Sequence, residues 1–151
     1  MSLRDRLNED LKSAMRAHDT VRLSVIRGIK AAILSEETRD QRTTLDDDGI
    51  IRVIAKEVKQ RQESLPDFER SGRSDLVQQL HQELDILSEY LPAPLSDDEV
   101  KALVEEAVAA TGAAQPKDMG LVMGWLAPRT RGRADGRLVA ELVKERLAGK
   151  A

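Results

Sequence analysis

The sequence predicts an all-α fold, and three observations carry that expectation. Apolar residues recur at steps of three and four along nearly all of the 151-residue chain. No stretch alternates apolar and polar residues as a half-buried strand does, and aromatics are reduced to Phe68, Tyr90 and Trp125. Capping residues and helix breakers fall between the periodic segments.

The elements follow in order. Leu3, Leu7, Leu11 and Ala14 share one face of a first helix. Val25, Ile26, Ile29 and Ile33 mark a second, with Asp19 or Thr20 as its cap. Ile50, Ile51, Ile54, Val58 and Leu65 mark a third. Asp46, Asp47 and Asp48 lead into it and favour the positive end of its dipole. Pro66 and Gly72 both read as breakers between this helix and the next. Val77, Leu80, Leu84, Leu87 and Leu91 then repeat at heptad spacing in a fourth helix, with Ser74 as its expected cap. Pro92 and Pro94 stop that helix and favour an extended linker. Ser96 and Glu99 form a capping box ahead of Val100, Leu103, Val104, Ala107 and Val108, and Gly112 closes the fifth helix. A boundary near residue 93 divides the chain into an N-terminal four-helix domain, residues 1–93, and a C-terminal three-helix domain, residues 94–151.

Composition narrows the function classes. A hydrophobic share of 40% is enough for a core, and a charged share of 34% gives a heavily solvated surface. The net charge is only −3, so attraction to an anionic partner has to come from a local patch. There is no cysteine, which excludes disulfides, thiolate metal sites and cysteine nucleophiles. The N-terminus is charged from Arg4 onward, unlike a secretory signal, and no apolar run approaches the ~20 residues of a bilayer span. These features lead to the expectation of a soluble cytoplasmic protein without a membrane partner.

Catalytic patterns are missing. His18 falls in the turn after the first helix and His81 on the surface of the fourth, so they do not form a pair. The phosphate-loop, nucleophile-elbow, zinc-protease and dinucleotide-binding motifs do not occur. The run Asp46-Asp47-Asp48-Gly49 lacks the alternating spacing and terminal glutamate of a calcium loop. The expectation is therefore no catalytic residue, no metal and no cofactor. A basic group at Lys56, Lys59, Arg61, Arg70 and Arg73 reads as a solvated helix face with local ion pairs.

The candidate site lies between Lys117 and Arg137. Gly120 and Gly124 sit four apart on one helix face, a spacing that suggests close packing against another backbone. Pro128 is expected to end that face. Arg129, Arg131, Arg133 and Arg137 follow, with Gly132 and Gly136 among them. Guanidinium forks grip phosphate oxygens in pairs, and glycine lets backbone N–H groups reach the same anion. If Asp135 caps the last helix, the start of that helix adds partial positive charge at the same place. The scarcity of aromatics argues against base stacking, so a nucleic acid held here would be read through its backbone and shape.

At these residues the sequence resembles the YqeY-like, or GatB/YqeY domain, family. The similarity lies in KDMG-x-VMG and P-x-x-x-GRADG-x-x-V, and upstream in VRLSVIRGIKAAI, KQRQESLPDFERSGRSDLV and LSEYLP. It implies a two-part all-α fold whose C-terminal part resembles the tail of the B subunit of an aminoacyl-tRNA amidotransferase. In that enzyme the tail helps to recognise tRNA, while the amidase and kinase sites lie elsewhere. The positions carried over are Lys117, Gly120, Gly124, Arg131, Gly132, Arg133, Asp135 and Gly136. The chain departs from the pattern at Leu121, where a basic or polar residue is common, and at Trp125, where a small residue is usual. The resemblance implies a non-catalytic accessory protein associated with tRNA or another structured RNA. The rival is a protein-interaction module, in which the heptad face of the fourth helix and the basic loop dock an amidotransferase subunit, another partner or a second copy. The family's inherited label, carbon–nitrogen ligase with glutamine as amido donor, finds no matching machinery in these residues.

Overall fold

A computed structural model describes residues 1–39 and 43–149, and among them the only regular structure is helical. There are seven α-helices: α1 Leu3–Arg16, α2 Thr20–Arg39, α3 Asp47–Arg70, α4 Ser74–Ser88, α5 Asp97–Thr111, α6 Met119–Thr130 and α7 Gly136–Leu147. One 3-10 turn, Pro116–Asp118, precedes α6. Contacts divide the chain into two compact units, Met1–Leu91 and Pro92–Ala151.

In the first unit α2 is the central element and packs against α1, α3 and α4. Its Val25, Ile26, Ile29 and Ile33 are buried with Leu7, Ile50, Val53, Ile54, Ile86 and Leu87. The end of α4 is fastened by polar groups as well. The hydroxyl of buried Tyr90 donates to Asp10 at 2.5 Å, and the Arg6 guanidinium lies 4.7 Å from the ring centroid. Arg22 forms a two-pronged pair with the Glu89 carboxylate at 3.0 and 2.9 Å. Burial, then the bond to Asp10, pushes the Tyr90 hydroxyl well above its ordinary value.

In the second unit α5, α6 and α7 each pack on the other two. Val100, Val104, Ala107, Val122, Leu126, Val139, Val143 and Leu147 form its core. The expected capping box holds: the Ser96 hydroxyl accepts from the Glu99 N–H, and the Glu99 carboxylate accepts from the Ser96 N–H. Gly112 ends α5 in the left-handed region at φ 69°. His18 also has positive φ, 55°, in the turn after α1, where the Asp19 N–H donates to the Ala14 carbonyl.

Four sequence expectations need correction. Pro66 does not break α3, because it lies on the exposed side, where the carbonyl its ring leaves unbonded can be hydrated. Pro128 likewise stays inside α6, which runs on to Thr130. Ser74 is the first residue of α4 rather than its cap; Arg73 takes that place without a side-chain bond. Gly120 and Gly124 do not mediate helix packing. They lie on the exposed face of α6, and a Cβ added at either would meet nothing within 4 Å.

Two predictions follow from these contacts. Gly120→Ala and Gly124→Ala each raise stability by up to ~1 kcal/mol, since alanine gains helix propensity without a clash. Gly112→Ala, also unobstructed, costs about 1 kcal/mol because its backbone is left-handed. Urea unfolding of the three variants distinguishes this pattern from the close-packed alternative, in which all three changes destabilise. The second concerns alkaline pH. A raised acid contributes stability that is complete below its unfolded value, 10.0 for Tyr90, and that is lost as pH rises beyond it. Tyr90→Phe therefore costs about 1–2 kcal/mol at neutral pH and makes the decline above pH 10 shallower in thermal melts.

Candidate functional site

The first unit offers a surface cleft whose charged side chains are already engaged. This shallow cleft between α1 and α2 is lined by Arg4, Leu7, Asn8, Lys30, Leu34 and Glu37. Within it Arg4 pairs with Glu37 and Lys30 with Asn8. The basic group on α3 and α4 is partly neutralised: Arg61 faces Glu57 and Glu83, Arg70 faces Asp67, and Arg73 faces Asp75, while Lys56 and Lys59 have no ion pair among the described residues. Among the described residues no group of three His, Asp or Glu side chains is placed to hold a metal ion.

The second unit differs at the junction of α6 and α7. The last turn of α6 is closed by Thr130, which is buried and whose hydroxyl donates to the Leu126 carbonyl at 3.1 Å. The Thr130 carbonyl accepts from the N–H groups of both Arg133 and Ala134. Between them Gly132 takes φ 73°, so its role is to turn the chain. Asp135 then caps α7 by accepting from the Arg137 N–H at 2.9 Å. The expected cap is thus present, and a carboxylate already sits at that helix start. Gly136 is the exposed first residue of α7, with open space where a Cβ would go.

The arginines of this junction have different surroundings. Arg129 is exposed in the last turn of α6, where a cation suits the helix dipole. Its guanidinium lies over the Trp125 ring, 3.6 Å from the centroid, and Nη1 donates to the Trp125 carbonyl at 2.6 Å. Arg131 is half-buried and caps α6 through its backbone N–H; no carboxylate stands within ion-pair distance of it among the described residues. Arg133 braces the linker instead. Its Nε donates to the Ala93 carbonyl at 3.0 Å, and its own carbonyl accepts from the Leu95 N–H at 2.7 Å. The Ser96 backbone and hydroxyl hold the Glu99 carboxyl below its usual range, and the charge of Arg133 adds to that effect. Arg137 takes part in an interaction of its own as well as donating its N–H to Asp135.

Lys117 is not gathered with these arginines. It lies in the 3-10 turn before α6, twelve residues ahead of Arg129, or about 18 Å along the axis at ~1.5 Å per residue. Asp118 beside it accepts from the Ala114 and Gln115 N–H groups, which keep its carboxyl low. Between the two ends the exposed face of α6 carries Gly120, Leu121, Gly124 and Pro128. Leu121 keeps 60% of its surface exposed. The exposed side of α6 is therefore nearly bare, with Lys117 in the turn before it and Arg129 in its last turn, about 140° round the helix from Gly124. The Trp125–Arg129 stack was missed in the sequence, although its i, i+4 spacing is the signal that could have found it.

Arg131 and Arg133 are expected to respond differently to truncation. Arg133→Ala removes the brace on residues 93–95 and costs about 1 kcal/mol in thermal unfolding of the whole chain. Arg131→Ala, which removes no side-chain bond, leaves the midpoint unchanged.

Comparison with known proteins gives the chain its relatives. A family model described as Yqey-like protein matches residues 4–147. The chain is similar to Altered inheritance of mitochondria protein 41, mitochondrial, of Lachancea thermotolerans, at 31% identity over 92% of this chain and 78% of that protein. The protein of the same name from Pyrenophora tritici-repentis is 30% identical over 96% of this chain and 81% of its own length. That from Kluyveromyces lactis is 38% identical over 65% of this chain and 54% of its own length. The names of these relatives overturn the expectation of a cytoplasmic protein. That expectation rested on the lack of a secretory signal and of a membrane span, and neither bears on mitochondria.

Proposed function

Because the chain belongs to the Yqey-like protein family, a membership its match over residues 4–147 establishes, we propose that it is an RNA-associated accessory protein acting by binding, with tRNA as the RNA class. One observation carries the proposal. Among the described residues Arg129 and Arg131 stand two positions apart at the end of α6 with no carboxylate in ion-pair range, whereas Arg16, Arg27 and Arg52, also without one, lie on three different helices and Arg4, Arg22, Arg61, Arg70 and Arg146 are paired. Guanidinium groups left unneutralised on an ordered surface suit phosphate oxygens. The separation of Lys117 from Arg129, about 18 Å, is too great for one phosphate and suits a chain of them. Gly120 and Gly124 leave room along the helix for a bulky backbone.

In this proposal Arg131 and Arg129 grip the sugar–phosphate backbone and Lys117 adds a more distant contact. Arg133 keeps the turn in place, and Asp135 fixes the start of α7. The relatives' names attach the same reading to mitochondria. A rival proposal, docking of a protein such as an amidotransferase subunit, draws on the exposure of Leu121.

Fluorescence anisotropy with labelled tRNA tests the reading. The double change Arg129→Ala, Arg131→Ala should weaken binding at least tenfold at moderate salt. It should also reduce the slope of log affinity against log salt by roughly two contacts' worth, ~0.7–0.9 each. An unaltered affinity and slope would remove the site from consideration.

A further inference from the structure

Trp125 is the chain's sole tryptophan. It is half-buried and packed against the core of the second unit, so its ring is held in place. Arg129, one turn further along α6, lies over that ring with its carbon 3.6 Å from the centroid. The same guanidinium is tied at Nη1 to the Trp125 carbonyl. Ring contact and hydrogen bond together orient the flat cation. The side chain is exposed, and no other described group bonds to it. One face is therefore taken by the indole, and the rest of the group is available.

A guanidinium plane held in this way is a surface on which a nucleobase can stack. The sequence argued against stacking because aromatics are scarce. With Arg129 presenting the outer plane, one tryptophan suffices. We propose that Trp125 and Arg129 form a stacking platform for an unpaired nucleobase, beside the phosphate contact at Arg131. The proposal rests on the RNA reading above and adds the feature recognised: a base outside a duplex, in a loop or at an end. Every base has a π-face, so the platform favours unpaired nucleotides without selecting their sequence. A paired base inside a helix offers no face to it.

The test uses the full chain and three labelled RNAs matched in phosphate number: a hairpin with an unpaired loop, the same hairpin with an abasic loop, and a blunt duplex. Anisotropy should show about tenfold tighter binding of the first than of the other two. The emission of Trp125 should change with the first alone. Arg129→Lys keeps the charge and so preserves the salt slope, but it loses the plane and should abolish the preference. Equal affinity for all three RNAs, or a preference that survives Arg129→Lys, overturns the stacking platform and leaves phosphate binding standing. Failure to bind any of the three, with a protein captured on this face instead, overturns both.

Discussion

The turn from Thr130 to Ala134 is the constraint on which the candidate site depends. A single carbonyl, that of Thr130, receives two N–H groups, and Gly132 supplies the left-handed step that lets them converge. Arg133 joins this turn to the linker through its carbonyl and its guanidinium. The end of α6, the start of α7 and the entry to α5 are thereby fixed together. Arg129 and Arg131 are positioned by a framework that Arg133 helps to build. The neighbouring arginines therefore differ: Arg133 holds the structure, Arg129 is exposed and Arg131 is half-buried.

Electrostatics makes the same division across the chain. With a net charge of −3 there is no long-range field to gather an anionic partner. In the first unit Arg4, Arg22 and Arg61 pair across helices, as Arg22 ties α2 to Glu89 beyond the end of α4, while Arg6, Arg70 and Arg73 pair with carboxylates a few residues away. Exposed pairs of this kind add little stability, about 0–1 kcal/mol each, but they cancel local potential. A cation without such a partner keeps its potential. Sequence position alone cannot separate the two kinds of arginine, because the partner of Arg22 is 67 residues away and that of Arg146 is 41 residues away.

What was legible in the sequence was local. The capping box at Ser96 and Glu99, the left-handed Gly112 and the cap at Asp135 depend on residues within a few positions of each other, and each was read correctly. The helical character of every periodic segment was equally plain. Burial was harder to read. Pro66 and Pro128 look like breakers on paper, yet each sits inside a helix on a solvent-facing side, where an unbonded carbonyl is tolerated. Gly120 and Gly124 have the spacing of a packed interface, and only their surroundings show that nothing packs there. Localisation was not legible at all, since the relatives' mitochondrial names have no counterpart in the charge pattern used to infer it.

The bare face of α6 is locally unfavourable, and that bears on its use. Two glycines in a helix of twelve residues cost about 1 kcal/mol each relative to alanine. No close approach among the described residues offsets that cost, because a Cβ at either would meet nothing within 4 Å. An exposed leucine between them adds unburied apolar surface. Each feature is unremarkable alone, but they share the helix that carries Trp125 and Arg129 and is capped by Arg131. A surface shaped only for stability would fill those positions with alanine, lysine or glutamate. In the proposed RNA contact, leaving them open would give the RNA backbone room along α6.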